Sequence, residues 1–352
     1  MGNSIGKSLV FTSFGESHGP FIGGVLDGFP SGLHIDFEFI NSELQRRKPG
    51  QSDISTTRNE DDHCEFISGV FEGKSTGAPI AFLIANKNQQ SKDYEKLKSV
   101  YRPGHADYVY DKKYGIRDYR GGGRSSARTT ASWVVAGALS KLYLKTNFQC
   151  HIQSVVASVH QIRLDNVFKL DWRDAEKSIV RCPNTETSEK MIESIQKARS
   201  NGDSLGGTIA TRVINCPLGF GEPVFDKLNA DLAKAIFSIQ AVKGIEFGLG
   251  FESTKMYGSE YNDDAYSTEN KEGGISAGIS NGHSIEFTAA FKPVSSIAKT
   301  QQVLTNEGSI IPLSIEGRHD PCVLPRAVPI VEAMTALVLA DHALLNLKYQ
   351  KI

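Results

Sequence analysis

The longest apolar run in the chain, residues 323–347, sets the first requirement on its fold. Read as a helix, it distributes Val331, Ala333, Met334, Ala336, Leu337, Val338, Leu339 and Ala340 around the axis and leaves almost no polar face. A helix of that kind is enclosed either by protein or by lipid. Pro325, Arg326, Pro329, Glu332, Asp341 and His342 interrupt the run, and charges at that density argue against a bilayer span. The segment therefore reads as a buried helix over 328–347, with Pro329 in its first turn and Arg326 just outside it. Asp341 follows the apolar run, so its carboxylate is expected to be partly buried, with a raised pKa unless a cation or an N–H pairs with it.

The chain is long enough to enclose such a helix. It has 352 residues, 39% hydrophobic and 22% charged, the balance of a globular protein. No linker, repeat or low-complexity block divides it, so one domain over 1–352 is expected. Runs of β-formers at 8–14, 64–70, 79–85, 151–160, 208–215 and 284–291 predict strands, and residues 72–78 read as a hairpin between the second and third. Helical periods cover 36–47, 129–145, 188–200, 226–239 and 328–347. Strands come in groups without regular alternation with helices, which favours α+β with antiparallel sheets. Two stretches, 86–123 and 253–282, look structureless, and loops of that length are usually functional.

Lys and Arg total 39 against 40 acidic residues. Bulk charge thus makes no case for nucleic acid, and any anion site must be a local cluster. The five cysteines (Cys64, Cys150, Cys182, Cys216 and Cys322) are scattered and form no C-x-x-C pair. No metal site and no disulfide framework are expected, and a reduced, cytoplasmic setting is the simple reading. The first eight residues lack the apolar core of a signal peptide.

Four clusters carry possible chemistry. Phe14-Gly15-Glu16-Ser17-His18-Gly19-Pro20 matches the G-x-S-x-G pattern of a hydrolase elbow, but an elbow needs a helix after the turn. The residues after Pro20 propagate none, so His18 is the better candidate, as a general acid. Arg46-Arg47-Lys48 ends a predicted helix before Pro49-Gly50, which suits either the helix dipole or a phosphate or carboxylate. Tyr101-Arg102-Pro103-Gly104-His105-Ala106-Asp107 holds a second histidine between an arginine and an aspartate, a candidate acid or base. The strongest local signal is Gly121-Gly122-Gly123-Arg124-Ser125-Ser126-Ala127-Arg128, running into the helix at 129–145. Backbone N–H groups, hydroxyls and two arginines there make an anion cradle. Gly73-Lys74-Ser75 is not the end of a P-loop, since Ser68 stands where the first glycine belongs.

In their joint order these runs, with 69–77, 94–108, 239–250, 273–278, 292–296 and 317–329, resemble the chorismate synthase family along essentially the whole chain. The resemblance implies a lyase that eliminates phosphate and a proton, 1,4-anti, from 5-enolpyruvylshikimate 3-phosphate to give chorismate, the seventh step of the shikimate pathway of aromatic amino acid biosynthesis. It implies reduced FMN without net redox change, a homotetramer, and a β-α-β sandwich with helices packed between antiparallel sheets and long active-site loops. By motif, His18 resembles the acid assisting the departing phosphate, His105 the residue that protonates reduced flavin, and Asp341 the base working with flavin. Arg124, Ser125, Ser126, Gln240, Ala241, Ala277, Lys292, Pro293, Val294, Ser295, Ser296 and Arg318 fall on flavin-contact positions. Arg47, Arg128 and Arg326 are assigned to substrate phosphate and carboxylates.

One departure stands out. The family usually has an arginine, linked to NADP or substrate contact, where this chain has Asp53, so no NADPH site is expected through it. No extra domain for flavin reduction is expected, and the resemblance then implies an external flavin reductant. The rival readings are a serine hydrolase built on Ser17 and a flavin- or anion-binding module without turnover.

Overall fold

Alternating burial marks the strands that organise the protein. Ile80, Phe82 and Ile84 are buried with their neighbours half-exposed, and Ile285, Phe287, Ala289 and Phe291 repeat the pattern. They belong to a computed structural model that describes residues 2–56, 62–87, 97–264, 269–314 and 320–349. The first third contains β1 (Ser4–Ile5), β2 (Val10–Gly15), β3 (Phe21–Asp27), α1 (Phe37–Arg47), β4 (Cys64–Ser68), β5 (Val70–Phe71), β6 (Lys74–Ser75) and β7 (Ile80–Ala85). Next come β8 (Val100–Tyr101), α2 (Asp107–Tyr114), α3 (Thr130–Phe148), β9 (His151–Val159), β10 (Ile162–Arg163), α4 (Thr185–Ser200) and β11 (Gly207–Ile214). The remainder holds α5 (Leu228–Phe237), β12 (Val242–Phe247), α6 (Gly258–Tyr261), β13 (Ile275–Ser276) and β14 (Ile279–Ser280). It closes with β15 (Ile285–Phe291), β16 (Thr300–Thr305), β17 (Ile310–Ser314) and α7 (Leu324–Asn346).

The chain is α+β. One five-stranded sheet has the order β1-β2-β3-β7-β4 and the other β10-β9-β11-β15-β12, with every pair antiparallel. Helix α3 packs on β2, β3 and β7, α7 packs on β9 and β11, and the two helices pack on each other. They approach closely at Gly137, where an added Cβ would lie 2.3 Å from that of Ala333. One buried cluster runs from Leu9 to Ala343 through both sheets.

Several elements escaped the sequence reading. Strand β3 was hidden by Gly23 and Gly24, which make room for aromatic rings: a Cβ on Gly24 would sit 2.4 Å from the Phe11 ring, and one on Gly23 2.6 Å from Phe14. The stretch 86–123, expected to be irregular, carries β8 and α2, and the stretch 253–282 carries α6, β13 and β14. Strands β12, β16 and β17 were also unforeseen.

Helix α7 begins at Leu324, earlier than expected, so Pro325 occupies its first turn and Pro329 lies inside it. Arg326 is therefore within the first turn rather than outside the helix. A proline there withholds an N–H from the carbonyl four residues back, and the Arg181 guanidinium donates to that Pro325 carbonyl instead. The helix is long and apolar enough to cross a bilayer, yet 89% of its most apolar window is buried inside the protein.

A charge network crosses this apolar layer. Arg46 donates to Glu43 (2.8 Å) and Glu332 (2.6 Å), and Lys141 to Glu43 (2.5 Å) and Glu332 (2.6 Å). The Ser154 N–H on β9 donates to the other Glu332 oxygen at 2.9 Å. Burial alone would push the Glu332 carboxyl up, but Arg46 and Lys141 outweigh it and hold the group low. Glu332→Gln leaves two half-buried cations short of a counter-charge and is expected to cost about 3 kcal/mol in urea unfolding. A carboxyl held low in the fold adds stability that is complete above its ordinary pKa of 4.5 and disappears as pH falls toward about 2. The variant should lose that part of the acid-unfolding curve.

Candidate active site

Two cavities of about 460 and 1010 Å³ share a wall made by His105, Ala106, Gly121, Gly122, Ser125, Ile239, Gln240 and Ala241. Segments distant in sequence meet here: the turn after β2, the loop before α2, the glycine run, residues 292–296 and the start of α7.

His18 lies half-buried on the wall of the smaller cavity, in the turn between β2 and β3. The turn leans on the glycine run, with the Ser17 N–H donating to the Gly123 carbonyl at 3.3 Å. Arg124 braces it, donating to the carbonyls of Gly15 (2.9 Å) and Ser13 (3.1 Å). A Cβ on Gly121 would lie 2.3 Å from His18 Nδ1 and 2.8 Å from Ser17 Oγ. The glycine therefore serves the seat of the histidine as well as the cradle. Ser17 Oγ and His18 Nδ1 are 3.1 Å apart, but β3 follows the turn where a nucleophile elbow requires a helix.

The glycine run does not lead straight into α3. Short 3₁₀ turns at Gly123–Ser125 and Ala127–Thr129 intervene. Ser126 caps the second, accepting from the Arg128 N–H, and the Ser125 hydroxyl donates to the Gly122 carbonyl. Arg124 lines only the larger cavity, and its guanidinium is engaged by backbone carbonyls. In this position it braces the turn that carries His18 and faces the larger cavity rather than the smaller one.

His105 lines both cavities, and its Nδ1 lies 2.8 Å from Asp107. Arg128 and Arg326 line the smaller cavity, as do Lys292 and residues 293–296. Arg128 is oriented by Asn86 (2.8 Å) and by the buried Asp62. Lys292 donates to the Gly104 carbonyl at 3.2 Å, and burial, with Lys243 nearby, lowers its pKa. Ala241 takes a left-handed φ of +70° in the wall, where its carbonyl accepts from the Lys292 N–H. Beside it, the side-chain oxygen of Gln240 is buried without a hydrogen-bond partner.

Other expected residues stand elsewhere. Arg47 is 1% exposed, pairs with Asp62 at 2.6 Å and does not line either cavity. Burial would raise the Asp62 carboxyl, but Arg47 and Arg128 lower it. Arg46 is likewise taken up by carboxylates, so neither arginine neutralises a helix dipole or an open anion site. Ala277 is exposed in the turn between β13 and β14, off both cavity walls. Arg318 lies outside the described residues. Asp53 is exposed, and its backbone carbonyl accepts from Arg199.

Asp341 is also off the wall of both cavities. Its buried carboxylate accepts from the N–H groups of Lys7 (3.0 Å), Ser8 (2.7 Å) and Leu9 (2.8 Å), anchoring the chain before β2 to α7. The carboxylate on the cavity wall is Asp320, the only one among the described residues lining the smaller cavity. It accepts from the Thr56 N–H at 2.9 Å and pairs with Arg326. The sequence signal for it was its place beside Pro321, immediately before the helix that carries Arg326. Two imidazoles, one carboxylate and several cations on one wall can bind an anion and move protons beside it.

A sequence profile of the chorismate synthase family matches residues 9–344. A chorismate synthase from Christiangramia forsetii is 55% identical over 350 residues, covering 98% of each chain. One from Flavobacterium psychrophilum is 54% identical over 353 residues, covering 99% of each. A crystal structure of a chorismate synthase superposes with a TM-score of 0.78 at 32% identity, covering 97% of this chain and 94% of that one.

The seat of His18 yields a direct prediction. Gly121→Ala has no room for its methyl unless the imidazole moves. A displacement of about 1 Å should lower turnover by roughly 100-fold. Thermal unfolding should change little, and a crystal structure of the variant should show the ring displaced.

Proposed function

The chain belongs to the chorismate synthase family of lyases, and we propose that it eliminates phosphate from 5-enolpyruvylshikimate 3-phosphate to give chorismate. The observation that carries this reading is the convergence of His18, His105, Asp320, Arg128, Arg326 and Lys292 on one cavity. In it, Arg128 and Arg326 hold the anionic substrate, bidentate contact being what guanidinium groups offer phosphate and carboxylate. His18 donates a proton to the departing phosphate. His105 holds a proton on the opposite side of the shared wall. We place the base at Asp320 rather than Asp341, because a base must reach the substrate and of the two only Asp320 lines the cavity.

The residues present fit reduced FMN. The unpartnered Gln240 oxygen is an acceptor waiting for a donor, and Ser125, Ser126, Ala241 and residues 292–296 surround it on the same walls. Bound there, the flavin would lend electron density as phosphate leaves and recover it as the proton departs. Arg47 acts behind the wall by holding Asp62, which in turn sets Arg128. One large core from Leu9 to Ala343, with two small clusters beside it, supports one domain, and five buried free thiols support a cytoplasmic setting. We further assign a homotetramer, in which Ala277 contributes only by reaching a neighbouring copy. An external reductant supplies the flavin, since Asp53 is a poor partner for a pyridine-nucleotide phosphate.

Anaerobic incubation of folded protein with the substrate and chemically reduced FMN should release phosphate; no release would sink the assignment. His18→Ala should then lose far more turnover than Ser17→Ala, whereas a serine hydrolase would show the reverse. Asp320→Asn is expected to slow turnover by about 100-fold while the variant remains folded by circular dichroism. Asp341→Asn should instead cost about 1–3 kcal/mol of stability, since an N–H of the anchored chain loses its acceptor.

A further inference from the structure

Asp107 is buried at the first position of α2 and faces three side chains. Its Oδ2 accepts from the Arg102 backbone N–H (3.1 Å) and Nε (2.7 Å), with Arg117 at 3.4 Å. Its Oδ1 accepts from Arg102 (2.9 Å) and lies 2.8 Å from His105 Nδ1. Arg117 also donates to the carbonyls of Leu97 (3.0 Å) and Val100 (3.2 Å), so the carboxylate is tied to the strand on the other side of the loop. Burial alone would raise the Asp107 carboxyl, but its bonds to Arg102 and His105 hold it well below the usual carboxylate range. Other charged or titratable groups on the walls that His105 shares are Lys292, on the Gly104 carbonyl, with His18, Lys87, Arg128, Asp320 and Arg326 in the smaller cavity, and Glu16, Tyr110, Tyr114, Asp118 and Arg124 in the larger.

We infer that Asp107 is a positioning residue: it fixes the His105 ring with its hydrogen on Nδ1 and presents Nε2 as the atom that exchanges a proton in the cavity. A carboxylate kept ionised can only accept, so the nitrogen facing it must carry hydrogen in both the neutral and the charged ring. The exchangeable proton then sits on Nε2. When His105 acts as an acid, the Nε2–H bond breaks, its electron pair stays on nitrogen, and the proton passes to the ligand. The Nδ1–H stays bound to Asp107 and steadies the positive charge beforehand. Arg102 and Arg117 give the pair its second property, since two guanidinium groups keep Asp107 from taking the His105 proton itself. The role in turnover rests on the reading of His105 as an acid in the proposed reaction, whereas the ring state does not.

The ring state is therefore measured first, on the full-length protein with 15N-labelled histidine rings. Solid-state NMR, with His105 assigned by difference from His105→Gln, should show a protonated Nδ1 and a bare Nε2 when the ring is neutral. A neutral His105 with hydrogen on Nε2 would overturn the inference, whatever the activity. In a variant still folded by circular dichroism, Asp107→Asn should lower turnover by roughly 100-fold and move the alkaline limb of the pH profile, where His105 loses its proton, to lower pH. Asp107→Glu should recover part of both. Loss of turnover with an unmoved pH profile would assign Asp107 to structure alone. Failure of the wild type to release phosphate would instead remove the reaction and leave the NMR result standing.

Discussion

The Glu43–Arg46–Lys141–Glu332 network is the constraint on which the rest of the molecule depends. Its members lie on α1, α3 and α7, and Glu332 reaches β9 through the Ser154 N–H. An apolar interface between α3 and α7 can slide with little penalty, but two carboxylates and two cations in a largely buried layer have few arrangements that satisfy all of them. The network thus fixes the register of the helical layer against the second sheet. The wall residues Arg326, Ala327 and Ile330 stand on the same helix as Glu332, within two turns of it.

A second buried carboxylate does for the site what Glu332 does for the core. Asp62 joins Arg47, which is closed off from the cavity, to Arg128, which lines it. Asp107 holds Arg102 and His105 in the same manner, and Asp320 holds Arg326. Arg102, His105, Arg128 and Arg326 on the wall are thus each backed by a carboxylate that sets their direction. Preorganised charge of this kind works without reorganisation at the moment of reaction. It also explains how a chain with no net positive charge builds an anion site. Positive groups are concentrated on the wall, and of their carboxylate partners only Asp320 stands on it, while Asp62 and Asp107 do not line the smaller cavity.

Much of this was readable from the residues in order. The apolar run at 323–347, the two histidine turns and the Gly-Gly-Gly-Arg-Ser-Ser run each pointed to a place, and His18, His105, Arg128 and Arg326 do meet on one cavity. The expected site residues that stand off the smaller cavity share a cause. Asp341 was expected to be buried after its apolar run, and the family resemblance made it a base, but burial does not say what it is buried against. It turned out to be three backbone amides 332 or more residues away. Arg124 and Arg47 looked like anion forks for the same reason: their charge is visible in sequence, and their partners are not.

Local pattern by itself determined the strands with alternating burial, most helices, the enclosure of α7 and the residue types available for proton transfer and anion binding. These follow from backbone periods and side-chain chemistry, which act over a few residues. Tertiary structure alone decided which charges face the cavity and which are neutralised behind it. A guanidinium is committed by whichever carboxylate lies within about 3 Å of it, and chain folding, not sequence spacing, sets that distance. Asp320 rather than Asp341 reached the wall because the loop before α7 opens onto the cavity, while the later turns of that helix are sealed beneath the chain that leads into β2.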